Sequence, residues 1–236
     1  MQPRSFALAA LVLSLAASGR ALAAEPRLKL SLVPGPAYAH KVRFGLVPVT
    51  LRPQIAMWIE DAEGRFVDTI YVTRRAAKAD WKAAGGARRP EALPLWSHAR
   101  GIAAPDGLYM PDAKHPLPDA VSGATPDEAF AKYWPLPASL APGSYRIRVE
   151  LNSSFDWNAS YPDKLPKDDA RYSEANGQPS LLWEGRLLIG GGPASARLEP
   201  AGTGSLRGED GRLGPGLAGL TSARDLAASI AAEFLP

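Results

Sequence analysis

The chain has no cysteine among its 236 residues, which excludes disulfides, thiolate metal sites, Cys-ligated iron–sulfur clusters and Cys-tethered haem. Histidine is almost as scarce. His40, His98 and His115 are the three present, and they lack zinc-ligand spacing, so each reads as a hydrogen-bonded or solvated side chain. Ser97 and His98 are adjacent, but without a Gly-x-Ser-x-Gly elbow hydrolysis is a poor reading. Gly190-Gly-Gly192 and Gly202-Thr-Gly-Ser-Leu-Arg-Gly208 read as flexible segments rather than phosphate cradles, because no Lys-Ser or Lys-Thr follows either. A charge excess is also missing: 27 basic residues against 24 acidic ones leave a formal charge of +3, which does not advertise a nucleic-acid partner.

No apolar run reaches the roughly 20 residues needed to span a bilayer. The longest candidate is N-terminal, where Arg4 precedes the uncharged stretch Phe6 to Ala17 and Ala21-Leu22-Ala23 offers small residues for cleavage. This pattern predicts an export signal over residues 1–23 and a periplasmic mature chain that does not span the membrane. Removing 23 of 236 residues leaves 213, and removes Arg4 and Arg20 but no acid, so the charge falls by two to +1. A chain of 213 residues can bury one good core without disulfides.

What the chain does contain is strand signal. Leu28–Val33 alternates, as does Ile55–Glu60, which is followed by the turn Asp61-Ala-Glu-Gly64 and a return strand Phe66–Val72 to make a hairpin. Tyr145, Ile147, Val149 and Leu151 share one face of a strand whose other face is Arg146, Arg148 and Glu150. It follows the Pro-Gly turn Leu140–Ser144, of the kind that introduces a late strand in immunoglobulin-like sandwiches. Leu181–Ile189 and the short Ala196–Glu199 complete the clear candidates. Leu226, Ala228, Ile230, Ala232 and Phe234 suit a closing strand, although alanine content and the 226/230/234 spacing also fit a helix. The expected fold is an all-β, immunoglobulin-like antiparallel β-sandwich over 24–236, with a Gly-rich extension from about 190. Trp58, Trp183 and Tyr71 fall in its core pattern.

One long excursion, residues 73–144, exceeds what such a sandwich needs. Arg75 to Ala84 predicts one short helix stopping at Gly85-Gly86, and the rest is proline-rich and irregular. Loops of this length are usually functional or disordered. Its aromatic residues favour an ordered cover over the sandwich. Within it stands Asp119-Ala-Val-Ser122-Gly123-Ala124-Thr125, bracketed by Pro116, Pro118 and Pro126. The prolines argue against a continuous helix, and Gly123 and Ala124 leave Thr125 approachable by a second protein. The structural alternative is a plain turn, with Asp119 or Ser122 bonding backbone amides and Gly123 at positive φ.

The run 119–125 resembles the acceptor site of flavin-carrying subunits of membrane redox complexes and other targets of the extracytoplasmic flavin transferase: Asp, a small residue, any residue, Ser or Thr, then Gly-Ala-Thr. That resemblance implies covalent FMN held as a phosphodiester on the Thr125 hydroxyl, with Asp119, Ser122, Gly123 and Ala124 as the recognised neighbours. Trp96 and Trp134 are the aromatic candidates for stacking on the flavin, against core packing as the alternative. Ile55–Gly64, Arg89–His98, Asp119–Thr125 and Pro142–Tyr145 together resemble an uncharacterised periplasmic protein family. Its implied fold is immunoglobulin-like and related to the flagellar hook-capping extension, and its members tend to be encoded near flavin transferases. The expected role is electron transfer with a membrane redox protein, as an electron carrier rather than a turnover enzyme. The competing role is a cofactor-free binding or assembly module.

Asn152-Ser-Ser-Phe-Asp156-Trp-Asn158-Ala-Ser-Tyr161 is a second polar constellation. Asp156 and Asn158 could bind a ligand or hard cation, but Asx-turn chemistry around a tryptophan is the plainer reading. Glu209-Asp-Gly211 reads as a turn, with too few carboxylates for a calcium loop.

Overall fold

A computed structural model describes residues 25–81, 88–214 and 216–236. The expected export signal and the end of the expected Arg75–Ala84 helix lie outside them. Twelve strands occur in the described residues: β1 (Arg27–Pro34), β2 (His40–Phe44), β3 (Val47–Leu51), β4 (Gln54–Glu60), β5 (Phe66–Thr73), β6 (Ser122–Gly123), β7 (Phe130–Pro135), β8 (Gly143–Asn152), β9 (Leu181–Ile189), β10 (Ala194–Arg197), β11 (Glu199–Thr203) and β12 (Ala227–Leu235). Helices are few and short. They are α1 (Arg74–Lys78) and α2 (Pro94–Ala99), with 3₁₀ turns at Asp119–Val121 and Ser222–Asp225. The fold is all-β, and no helix among the described residues is long and apolar enough to cross a membrane.

Two sheets share the main core. One has the order β10-β12-β1-β7 and the other β11-β9-β8-β4-β5-β6, while β2 and β3 form a separate ribbon. Pairing is antiparallel except where β6 joins the edge of β5 in parallel. Alternation explains the facing surfaces: Leu28, Leu30 and Leu32 of β1 meet Ile55, Met57 and Ile59 of β4 and Tyr145, Ile147, Val149 and Leu151 of β8 in one buried cluster. On the opposite side of β1, Lys29 donates to Glu233 at 2.8 Å. The segment after 190 is built into this body rather than appended to it, since β12 pairs with β1 along nearly its whole length, from Arg27↔Leu235 to Pro34↔Ala227. The strand reading of 226–234 holds over its helical alternative because Ile230, Ala232 and Phe234 are needed against the core.

β4 departs from simple alternation. All seven of its residues are buried, because the excursion covers the second face of the six-stranded sheet. Ala56, Trp58, Val72 and Leu182 pack there against Ala76, Ala77, Leu93, Leu95 and Trp96. Sequence patterning predicts at most one short helix in the excursion and irregular chain elsewhere. The excursion in fact holds two helices and contributes β6 and β7 as well. Its sequence hides them because α2 starts at a proline and has only six residues, too few for periodicity to register.

A buried carboxylate fastens this cover. Glu150 projects from β8 on the covered face and accepts from the N–H groups of Leu95 at 3.2 Å and Trp96 at 2.8 Å, which open α2, and from Ser180 Oγ at 2.6 Å. Burial pushes its acidity from an ordinary 4.5 up to about 7, against the lowering effect of those bonds and of Arg148. Between these two values the folded protein holds a proton that the unfolded chain releases. The stabilisation is therefore complete below about pH 4.5 and is lost as pH rises through 7, by on the order of 3 kcal/mol. Denaturant titrations from pH 4.5 to 8 should show the wild type losing stability over this window relative to Glu150→Gln, which cannot ionise. Parallel profiles would remove the buried-carboxyl account.

Candidate functional site

A cleft of about 730 Å³ opens where the excursion meets the end of the six-stranded sheet and the β2–β3 ribbon. Gly123, Ala124 and Thr125 form part of its wall. The volume falls within the roughly 300–1,000 Å³ of small-molecule sites. Phe44 and Phe155 meet edge to face on another wall, with centroids 5.3 Å apart. Trp81 lines the cleft too, with the Arg89 guanidinium 4.8 Å from its ring centroid.

The acceptor-like run is positioned from one end to the other. Asp119 opens a 3₁₀ turn and is exposed, with its carboxyl paired to Lys78 and held below the usual carboxylate range by that hydrogen bond. Ser122 and Gly123 then pair with Val72 and Thr73. Tyr71 of β5 donates to the Ala124 carbonyl at 2.7 Å, and Tyr38 donates to the Pro126 carbonyl at 2.9 Å. Burial pushes both phenols upward, Tyr38 to about 12, so each remains a neutral donor across the physiological range. Between these anchors the Thr125 Oγ1 donates to the Pro53 carbonyl at 3.2 Å, and the residue is half-buried at the cleft wall.

The run does begin with a turn, at Asp119–Val121, but the side-chain bonds and positive φ of the plain-turn reading are not there. Gly123 is not among the glycines at positive φ, the Asp119 carboxyl is engaged by Lys78, and Ser122 Oγ is buried without a partner. A Cβ built on Gly123 would approach Tyr71 Cε2 at 3.4 Å, an ordinary contact. The fold thus makes no demand for glycine at 123. Nor is the run a free loop: a 3₁₀ turn at Asp119–Val121 leads into the two-residue edge pairing of Ser122 and Gly123 and then the extended Ala124–Thr125.

The cleft is rich in guanidinium groups, most of them paired with carboxylates. Arg52, Arg74, Arg75 and Arg89 line it, opposed there by Asp80. Arg52 lies 2.8 Å from Asp127 and Arg74 lies 3.7 Å from Asp80. Arg89, nearly buried, donates to Glu91, Ser154 and Asn176 at 2.7 Å each and ties the excursion to the 153–178 loop. Arg75 has no carboxylate partner among the described residues. An anion with a flat aromatic body suits this combination of guanidinium groups and ring edges.

Trp96 and Trp134, the aromatics favoured from sequence, are not brought to the cleft. Trp96 is fully buried in the cluster under α2, its Nε1 donating to Thr69 Oγ1 at 3.0 Å. Trp134 sits in the main core and donates to Asp68 Oδ2 at 2.9 Å. Core packing is their role. Trp81 shares the cleft with Thr125 instead, and its signal was the arginine doublets Arg74-Arg75 and Arg88-Arg89 on either side of it. Phe44 and Phe155 are far from the motif in sequence and carried no signal.

The second constellation is structural. Asn158 accepts from the amides of Ser160 and Tyr161 and donates to Gly219 and Thr221, as an Asx turn does. Asp156 accepts from Ser222 Oγ at 2.5 Å, with its acidity weakened by burial. Among the described residues no three His, Asp or Glu side chains gather as a metal site would need.

Compared with protein-family models, with curated proteins and with solved structures, the chain matches none. Its chemistry is therefore to be read from the cleft itself.

Two glycine substitutions, one in this run and one in the 153–178 loop, test the distinction between folding and function. Gly123→Ala should leave thermal stability unchanged or slightly raised, since alanine fits the conformation and restricts the unfolded chain by about 0.4–1 kcal/mol. Gly177→Ala should destabilise by roughly 2 kcal/mol or more, because Gly177 sits at φ +80° with a Cβ position 2.4 Å from the Asp156 carbonyl carbon. Calorimetry of both variants decides it; a large loss for Gly123→Ala would return that glycine to the fold.

Proposed function

We propose that the protein is a periplasmic flavin carrier in which the Thr125 hydroxyl holds FMN as a phosphodiester, and which exchanges electrons with a membrane redox partner. The single observation that carries this reading is that Gly123, Ala124 and Thr125 of the acceptor-like run line a guanidinium-rich, aromatic-edged cleft of about 730 Å³. Its glycine has no folding rationale. The proposed frame is immunoglobulin-like, with the export signal placing the chain in the compartment of the flavin transferase.

The chain's own residues account for acceptance and retention. Thr125 Oγ1 forms the new bond to phosphorus. Its proton passes to a base of the modifying enzyme, and the electron pair of the broken bond leaves with the departing phosphate of a flavin nucleotide activated as a phosphoanhydride. The hydroxyl gives up little to react, since its bond to the Pro53 carbonyl is long at 3.2 Å and lies at a cleft wall open to a second protein. The tyrosines that hold the Ala124 and Pro126 carbonyls keep the segment extended on either side of Thr125. Arg75, which has no carboxylate partner among the described residues, opposes the phosphodiester charge, and Trp81, with Arg89 over its ring, lines the same cleft. Bound there, the group would supply reversible electron transfer, with the protein contributing orientation and electrostatics.

Co-expression of the exported chain with a flavin transferase should give a band that fluoresces in a denaturing gel and an intact mass raised by one FMN less water. Thr125→Ala should abolish both signals while melting like the wild type. Thr125→Ser should retain them. A dark wild-type band at unmodified mass would favour a cofactor-free binding module.

A further inference from the structure

The β2–β3 ribbon is unlike the rest of the molecule. It forms a two-stranded sheet of its own and carries its largest apolar side chains outward: Leu46 is 94% exposed, Val47 62% and Phe44 46%. Gly45, at φ +62°, makes the tight turn that puts Leu46 at the tip. An isolated hairpin is marginal in water. This one is held beside its turn by Phe44 against Phe155, and at its base by His40 Nδ1 at 3.2 Å from Ser153 Oγ. The register Phe44↔Val47, Arg43↔Pro48, Val42↔Val49 and Lys41↔Thr50 sorts the ribbon into an apolar face and a face bearing Lys41 and Arg43.

Charge identifies the occupant. From Pro26 to Ile59 the sequence holds Arg27, Lys29, Lys41, Arg43 and Arg52 and not one acid. Lys41 and Arg43 are exposed, and among the described residues no carboxylate pairs with either. A protein partner of mixed charge would call for both signs. An apolar tip backed by cations alone matches a surface of anionic headgroups over hydrocarbon.

We propose that the β2–β3 hairpin is a lipid anchor: Leu46 and Val47 insert into the headgroup and upper acyl region of an anionic bilayer, Phe44 braces them from its contact with Phe155, and Lys41 and Arg43 bind the lipid phosphates. The anchor stands independently of the flavin reading. Because Phe44, Val49 and Leu51 also line the cleft, docking would hold the mouth of the cleft beside the membrane surface.

The lack of cysteine allows a site-specific test on the full chain. Leu46→Cys is labelled with an environment-sensitive fluorophore and mixed with vesicles containing phosphatidylglycerol, with Leu188→Cys, at an exposed position on β9 (61%), as the control. Both proteins share one N-terminus, so its apolar run cancels in the comparison. The label at 46 should shift to the blue and brighten several-fold while that at 188 stays unchanged. Lys41→Glu with Arg43→Glu should weaken the response on the order of tenfold or more, and added salt should do the same in part. An unchanged label at 46, equal responses at 46 and 188, or full binding by the charge-reversed variant each overturns the proposal. So does insertion that is equal on purely zwitterionic vesicles.

Discussion

The middle of the six-stranded sheet, with β4 buried along its whole length, is covered on both of its faces, and the rest of the molecule follows from that constraint. One face completes the core with β1 and β12; the other can leave water only if the chain supplies a third layer. The excursion between β5 and β8 is that layer. Once laid down it must satisfy its own backbone, and Glu150 does so by accepting from the first amides of α2. A buried acid that bonds a helix start is an exacting fastener, because it holds three donors while resisting ionisation.

The cleft is a by-product of the same cover. Where α1 turns away from β5, the excursion leaves the sheet edge, and the returning chain re-enters as β6 beside Val72 and Thr73. The gap between departure and return is floored by Gln54 and Thr73 and walled by the ribbon and the 153–178 loop. Thr125 lies at this re-entry point, which explains how a residue half-buried in the fold can still face open space. Arg89 locks the opposite wall by bridging Glu91, Ser154 and Asn176. The polar ties that surround the cleft are thus mainly structural, and the groups left to meet a ligand among the described residues are aromatic edges, the Arg75 guanidinium and one hydroxyl.

Much of the sheet content was legible because alternation is local. β1, the β4–β5 hairpin, β8 and β9 all lie where period-two patterns put them. β7 was missed since Phe130–Pro135 lacks clean alternation and sits in a proline-rich run, and β2–β3 were missed because their apolar residues point to solvent, contrary to the usual inference. At the site, the run 119–125 was legible as a motif and its extended geometry near the prolines followed from local sterics. The ring-bearing neighbours were not. Trp96 and Trp134 lie nearer the motif in sequence, yet each fills a core position, while Phe44 and Phe155 reach the cleft from segments 81 residues before and 30 residues after Thr125.

By itself the sequence determined the all-β class, the positions of the major strands, the absence of thiol chemistry and the presence of an acceptor-like threonine, since each depends on residue type and short-range spacing alone. Tertiary structure decided which aromatic and cationic groups surround that threonine, that the excursion is a packed layer, and that one hairpin is left bare. Those outcomes depend on contacts between residues far apart in the chain, whose pairing is fixed by competition for buried area and is written in no local pattern.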